Sequence, residues 1–327
     1  MDNSNGITWR TLDITAKESI KAYFGIDVDS DIFSPMVDYA FKRVFTADEE
    51  RSKIALIDFL NSVLEYKDTR SIVDLTVINS EIPVDIITRK KAIFDIRVKF
   101  NDGEQAIVEM QLSSQSGFKK RSQYIISKAY TSQDLAGLDY TALRKCYLVC
   151  VTNFVLWDDK PEFINDYRYR DKMGLDLSDD ETIIFIELPK IDRVLNKPVS
   201  EMTNIEMWAV FFRYVTDKSK REILNQIINR KAGIEMAAQV LTEISKDERE
   251  RVQYESELIF DLDYRTGMNN ARREGKEEGL IEGEVKGEVK GILKVARNLL
   301  KLGMTSDQVS LGTGLSIDEI NNLKTGI

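Results

Sequence analysis

The chain has 327 residues, 43% of them hydrophobic, with 46 Lys and Arg against 55 Asp and Glu for a formal charge of −9, and it contains no histidine. That length points to a core domain with a smaller appendage, and the acidic balance excludes a protein that coats nucleic acid by charge alone. The missing histidine excludes Ser-His-Asp, Cys-His and HNH hydrolases, so any chemistry must run on carboxylates, lysines, amides and a hard, oxygen-liking cation such as Mg²⁺.

Residues 1–33 read as a polar lead-in with helical turns around Thr15 to Phe24. Met1-Asp-Asn-Ser4 lacks the layout of a signal peptide, and no apolar run is long enough for a membrane span, so a cytoplasmic protein with no membrane partner is expected. From Met36 to Leu64, apolar residues at mostly helical spacing, interrupted around Thr46-Ala-Asp48, predict two helices or one broken helix. Short β-type runs follow at 74–79, 92–100 and 105–112, the last two flanking Asn101-Asp-Gly103, a hairpin signal. A helix is predicted from Lys119 to about Leu135, then strands at 143–154 and 182–188.

This order predicts an α/β mixture with an antiparallel hairpin and a helical crossover. Cys146 and Cys150 lie on one face of a strand about 13 Å apart, too far for a disulfide, and read as buried small hydrophobes. The expected divisions are a core at 34–200, a helical extension at 201–270, a Gly/Glu/Lys repeat at 271–301 and a helix-turn-helix-like tail at 302–327.

In the repeat, Gly275, Gly279, Gly283, Gly287 and Gly291 recur every four residues. On a helix they form a spiralling stripe, which suits either a solvated linker or a surface where a second copy approaches closely. In the tail, Thr305 or Ser306 and Ser316 are suitable helix caps, the last with Glu319 as a capping box. Asp318 and Glu319 suit a DNA-facing helix poorly.

The candidate chemistry lies in the hairpin. Glu109 and Gln111, two apart, share a face of one strand, and Asp95 sits in the other. A two-residue loop at Asp102-Gly103 would pair Asp95 with Met110 and put it on the opposite face. A three-residue loop with Gly103 in the left-handed region pairs Phe100 with Glu104 and Asp95 with Glu109, close enough to share a divalent cation. The three-residue loop is the expectation. Basic clusters at Arg89-Lys-Lys91 and Lys119-Lys-Arg121 offer phosphate-binding charge.

The same residues resemble the PD-(D/E)XK nuclease family transposases, also described as recombination-promoting nucleases. The matching segments are Asp38-Tyr-Ala-Phe-Lys-Arg-Val-Phe45, Phe59-Leu-Asn-Ser-Val-Leu64, Phe94-Asp-Ile-Arg-Val98, Ile107-Val-Glu-Met-Gln111 and Arg121-Ser-Gln-Tyr124, with Tyr130, Gly137-Leu-Asp-Tyr140 and the glycine-punctuated tail. The resemblance implies a restriction-endonuclease-like core and a Mg²⁺- or Mn²⁺-dependent DNA endonuclease. It makes Asp95 and Glu109 the metal-binding pair, with Gln111 where the wider superfamily carries lysine. Lys99, on the face of Asp95 if the strand alternates, or Lys42 would then supply the positive charge. Asp38 is a candidate third metal ligand or a helix cap, and Arg121 and Tyr124 either contact substrate phosphate or pack. The alternative is a nuclease fold used without catalysis as a DNA- or protein-binding module that self-associates through its C-terminal helices.

Overall fold

The computed structural model describes residues 14–65, 71–79, 81–82, 92–133, 137 and 139–324; the basic cluster at 89–91 lies outside them. By its contacts the chain forms two compact units, Met1–Asp263 and Tyr264–Ile327.

The first unit begins with α1 (Ile14–Phe24), α2 (Asp38–Thr46) and α3 (Glu49–Leu64). The predicted interruption between α2 and α3 is real: Asp48 caps α3, its side chain accepting from the backbone N–H groups of Glu50 and Arg51. Next come β1 (Leu75–Val77), the short pair β2 (Glu81–Ile82) and β3 (Ala92–Ile93), then β4 (Ile96–Phe100) and β5 (Gln105–Gln111). Helix α4 (Phe118–Thr131) crosses over to β6 (Cys146–Thr152), followed by β7 (Ile164–Tyr167) and β8 (Glu181–Glu187). Helices α5 (Asn204–Tyr214), α6 (Arg221–Arg230) and α7 (Ala232–Ile244) follow, and the first turns of α8 (Glu248–Lys301) complete the unit.

Six strands form one sheet in the order β1-β4-β5-β6-β8-β7. β1, β4 and β5 pair antiparallel, β5, β6 and β8 pair parallel, and β7 returns antiparallel on the edge. Side-chain alternation sorts β5 between two cores. Ala106, Val108 and Met110 join the large cluster built with α2, α3, α5 and α7, whereas Ile107 joins Leu148 and the α4 residues Phe118, Ile125 and Ile126. Cys146 and Cys150 are free thiols buried on the α4 side.

The large core closes around aromatic rings: Phe59 lies 5.6 Å from Phe45 and 5.4 Å from both Trp208 and Phe212. Asp58 beside it accepts from Trp208 Nε1 at 2.7 Å and Lys231 Nζ at 2.9 Å, so a partly buried carboxylate ties α3 to α5 and α7.

The sequence reading is corrected in the sheet: the single strand expected over 92–100 breaks at Phe94 and Asp95, and β7 was not foreseen at all. The glycine repeat is helical and forms the last part of the 54-residue α8, which begins at Glu248.

In the second unit, α9 (Ser306–Thr313) is capped by Thr305 in a box with Gln308. Ser316 and Glu319 form the predicted reciprocal pair at the start of α10 (Ile317–Lys324). Ala296, Val309 and Ile320 form its small core. Among the described residues no helix is long and apolar enough to cross a membrane.

Candidate active site

The hairpin has the three-residue loop. Phe100 donates its N–H to the Glu104 carbonyl at 2.8 Å, Gly103 donates to the Phe100 carbonyl at 3.0 Å, and Gly103 has φ of 90°, where glycine is free of strain. Ile96 therefore faces Val108 and Lys99 faces Gln105, and Asp95, one residue before this ladder, lies close enough to Glu109 for the two charges to act on one another.

Asp95 sits at a bend just before β4 rather than within it. Phe94 packs in the α4-side core although Ile96, two residues on, belongs to the other one, so strict alternation fails at this point. One Asp95 oxygen accepts the Met110 N–H at 2.8 Å, and the other lies 3.4 Å from Lys42 Nζ.

Lys42 comes from α2, which is clamped to α8. Glu250 of α8 accepts from Arg43 Nε at 2.8 Å and Nη2 at 2.5 Å, and from the Tyr39 hydroxyl at 2.6 Å. This bidentate contact leaves Asp38 and Lys42 to face the hairpin. Asp38 is the first helical residue, not the cap: Val37 holds that position, and the Asp38 carboxylate binds Lys42 Nζ at 2.6 Å instead.

Glu109 is 1% exposed. Its Oε2 lies 3.3 Å from Arg121 Nη2 of α4 and 3.5 Å from Gln111 Nε2. Its Oε1, like Oδ1 of Asp38, is buried without a hydrogen-bond partner. Burial pushes Glu109 up to about 7 against the pull of Arg121. Asp95 is raised well above the ordinary carboxylate range by burial and then by the charges of Glu109 and Asp38. Burial pulls Lys42 down, but Asp95 and Asp38 outweigh it and hold its ammonium above the usual lysine value.

Asp38, Asp95, Glu109, Gln111, Lys42 and Arg121 thus come together. Lys99 does not: it is exposed at the loop end of β4, four residues and about 13 Å from Asp95, so it cannot supply the site's positive charge. Tyr124 is 38% exposed, one turn beyond Arg121. Lys119 is engaged by the protein itself, donating to the Leu156 carbonyl at 3.0 Å with its Nζ 4.2 Å from the Trp157 ring centre.

Two residues missed in the sequence stand close by. Glu257 and Asp261, one turn apart on α8, are both raised, Glu257 by burial and the charge of Asp38, and Asp261 to about 6 by burial, the charge of Glu257 and that of Asp38. They flank the apolar stripe of Tyr254, Leu258 and Leu262, and such a pattern does not by itself separate acids beside a site from acids on the rim of a packed face.

An oxygen-only donor set with two buried, unpartnered carboxylate oxygens suits a hard divalent cation. Among the described residues, however, no three acidic, cysteine or histidine side chains already stand together as a ligand set. Lys42 and Arg121 currently share the carboxylates.

A mixed sheet whose antiparallel hairpin opposes two acids, and whose next helix crosses to a parallel strand, defines a PD-(D/E)XK nuclease-like α/β fold. The family model for PD-(D/E)XK nuclease family transposases matches residues 35–271, and the chain belongs to that family. No curated protein and no solved structure matches it.

Proposed function

We propose that this chain is a Mg²⁺- or Mn²⁺-dependent DNA endonuclease of a mobile-element, recombination-promoting type acting in the cytoplasm. The observation that carries the reading is the closeness of Asp95, at the bend before β4, to Glu109 of β5, beside buried oxygens of Glu109 and Asp38 that lack partners. Buried acids with raised proton affinity and unmet coordination are costly in a core and common in sites that work.

Asp95 and Glu109 would hold the cation, with Asp38 as a third ligand. When bound, a divalent cation supplies Lewis acidity toward a phosphodiester and lowers the pKa of a coordinated water. Gln111, neutral and able both to donate and to accept, would orient an attacking water without adding charge. Arg121, half-exposed beside Glu109, would meet a non-bridging phosphate oxygen.

The test is plasmid nicking by the full chain with and without Mg²⁺ or Mn²⁺, run beside Asp95→Asn and Glu109→Gln. Cleavage that needs the metal and is lost in both variants supports the assignment. Equal cleavage by parent and variants sinks it.

A second reading keeps the fold without catalysis, as a DNA- or protein-binding module that self-associates through its C-terminal helices. It draws on α8, where Ile281, Val285 and Val289 are 64%, 56% and 50% exposed. DNA retardation without metal binding by the full chain would favour it.

A further inference from the structure

The acidic cluster is already neutralised, in part, by the chain itself. Lys42 Nζ lies 2.6 Å from Asp38 Oδ2 and 3.4 Å from Asp95 Oδ1, so one ammonium bridges an acid of α2 and an acid of the hairpin. Each of those acids has a second oxygen differently disposed: Asp95 Oδ2 is fixed by the Met110 N–H, while Asp38 Oδ1 has no partner. Lys42 is itself 38% exposed, so its long, flexible side chain has a path to water.

A structural ion pair would have little reason to leave buried oxygens unmet around it. A temporary counter-ion does. The carboxylates must be kept from repelling one another while no ligand is bound, yet must remain available. We propose that Lys42 is the resident counter-ion of this cluster, bridging Asp38 and Asp95 until a divalent cation displaces it from Asp95, and thereafter a positioning residue for the substrate phosphate.

The second half follows from spacing. Asp38 and Lys42 are four apart on one helix, so the pair can persist after Asp95 is released, and it keeps the ammonium at the edge of the site. Arg121 cannot play the same part, since it touches Glu109 alone among the three acids. The inference rests on the cation reading above.

Its signature is a split that a merely structural lysine would not produce. Lys42→Met removes a unit charge competing with the cation at short range, so Mn²⁺ should bind about fivefold more tightly at pH 8. The metal-free melting temperature should fall, and Mn²⁺ should restore it. KM for DNA should rise although metal binding has improved. Lys42→Arg should keep the parental values in all three measurements, and Lys42→Gln should repeat the Met result.

The experiment is calorimetric titration of the full chain and its variants with Mn²⁺ alone, paired with melting curves and plasmid-nicking kinetics. Unchanged or weaker Mn²⁺ binding by Lys42→Met and Lys42→Gln overturns the proposal, as does a parent that binds no Mn²⁺. A parent that binds Mn²⁺ without cleaving DNA sinks only the nuclease reading, and the titration and melting then decide the counter-ion role.

Discussion

Arg121 Nη2 stands 3.3 Å from Glu109 Oε2, joining a side chain that is 40% exposed to one that is 1% exposed. The guanidinium is the cation that forms an ion pair with this buried acid, and its removal leaves Glu109 either charged without an ion-pair partner or protonated. Protonation limits the damage, and exposure of the arginine limits it further, so the loss should fall well short of a fully buried pair. Arg121→Ala should cost about 1 kcal/mol at pH 8 and less at pH 5, where Glu109 already carries a proton. Urea denaturation at the two pH values measures the difference; an equal cost at both would dissociate Arg121 from the ionisation of Glu109.

The raised proton affinity of Glu109 gives stability a definite slope. A carboxyl that moves from an ordinary 4.5 up to about 7 on folding binds more protons in the native chain than in the unfolded one. Its contribution is therefore fully present below 4.5 and is lost as pH rises through about 7. Asp95 is shifted in the same direction and adds to the slope. Other acids, such as Asp48 and Glu250, are lowered and act oppositely at lower pH. The clean measurement is thus the stability of the metal-free parent minus that of Glu109→Gln, which should fall between those two pH values. A difference that stays flat or rises would contradict the burial-driven shift.

How far the sequence carried these conclusions depended on whether the signal was local. Asn101-Asp-Gly103 and two alternating runs set the hairpin register, and with it the meeting of Asp95 and Glu109, because turn chemistry and side-chain period act over a few residues. Lys99 was misplaced for a related reason. Alternation puts it on the face of Asp95, but four residues of extended strand separate them, and the bend at Asp95 aims that carboxylate toward α2. Strand β7, Ile164-Asn-Asp-Tyr167, escaped notice because it is short, half-polar and on the sheet edge. Glu257 and Asp261 approach Asp38 because α8 is fastened to the N-terminal part of the chain by Glu250 on Arg43 and by Tyr254 on Phe33 and Ser34, contacts more than 200 residues long in sequence.

Gly233 offers a test of the core remote from the site. A Cβ there would lie 2.3 Å from Asp58 Cβ and 2.4 Å from its Cγ, where the aspartate is fixed by Trp208 and Lys231. Gly233→Ala must displace either α7 or Asp58 and so break one of those hydrogen bonds. The expected loss is about 1–3 kcal/mol, against the gain that alanine ordinarily brings to a helix. Thermal or urea denaturation reads it directly, and a stabilised variant would mean that α7 is not packed this closely on α3.

The glycine repeat separates two possibilities for the tail by opposite responses. Gly275, Gly279, Gly283, Gly287 and Gly291 have no atom of the chain within 4 Å of an added Cβ, apart from their own helix and chain neighbours, so nothing inside the chain requires glycine there. Val285 and Val289, two residues beyond Gly283 and Gly287, fall about 200° away around the helix, on the opposite side. If self-association runs through that apolar side, Val285→Asp with Val289→Asp should reduce the sedimenting species to a monomer at tens of micromolar chain. Gly283→Ala should leave the assembly intact and raise helix content, since each glycine costs a helix about 1 kcal/mol relative to alanine. Dissociation by Gly283→Ala with no effect of the aspartates would assign the contact to the glycine stripe instead, where a partner's backbone would need the missing side chain. A parent that sediments as a monomer would remove self-association from the account and leave the stripe as part of a solvated helix.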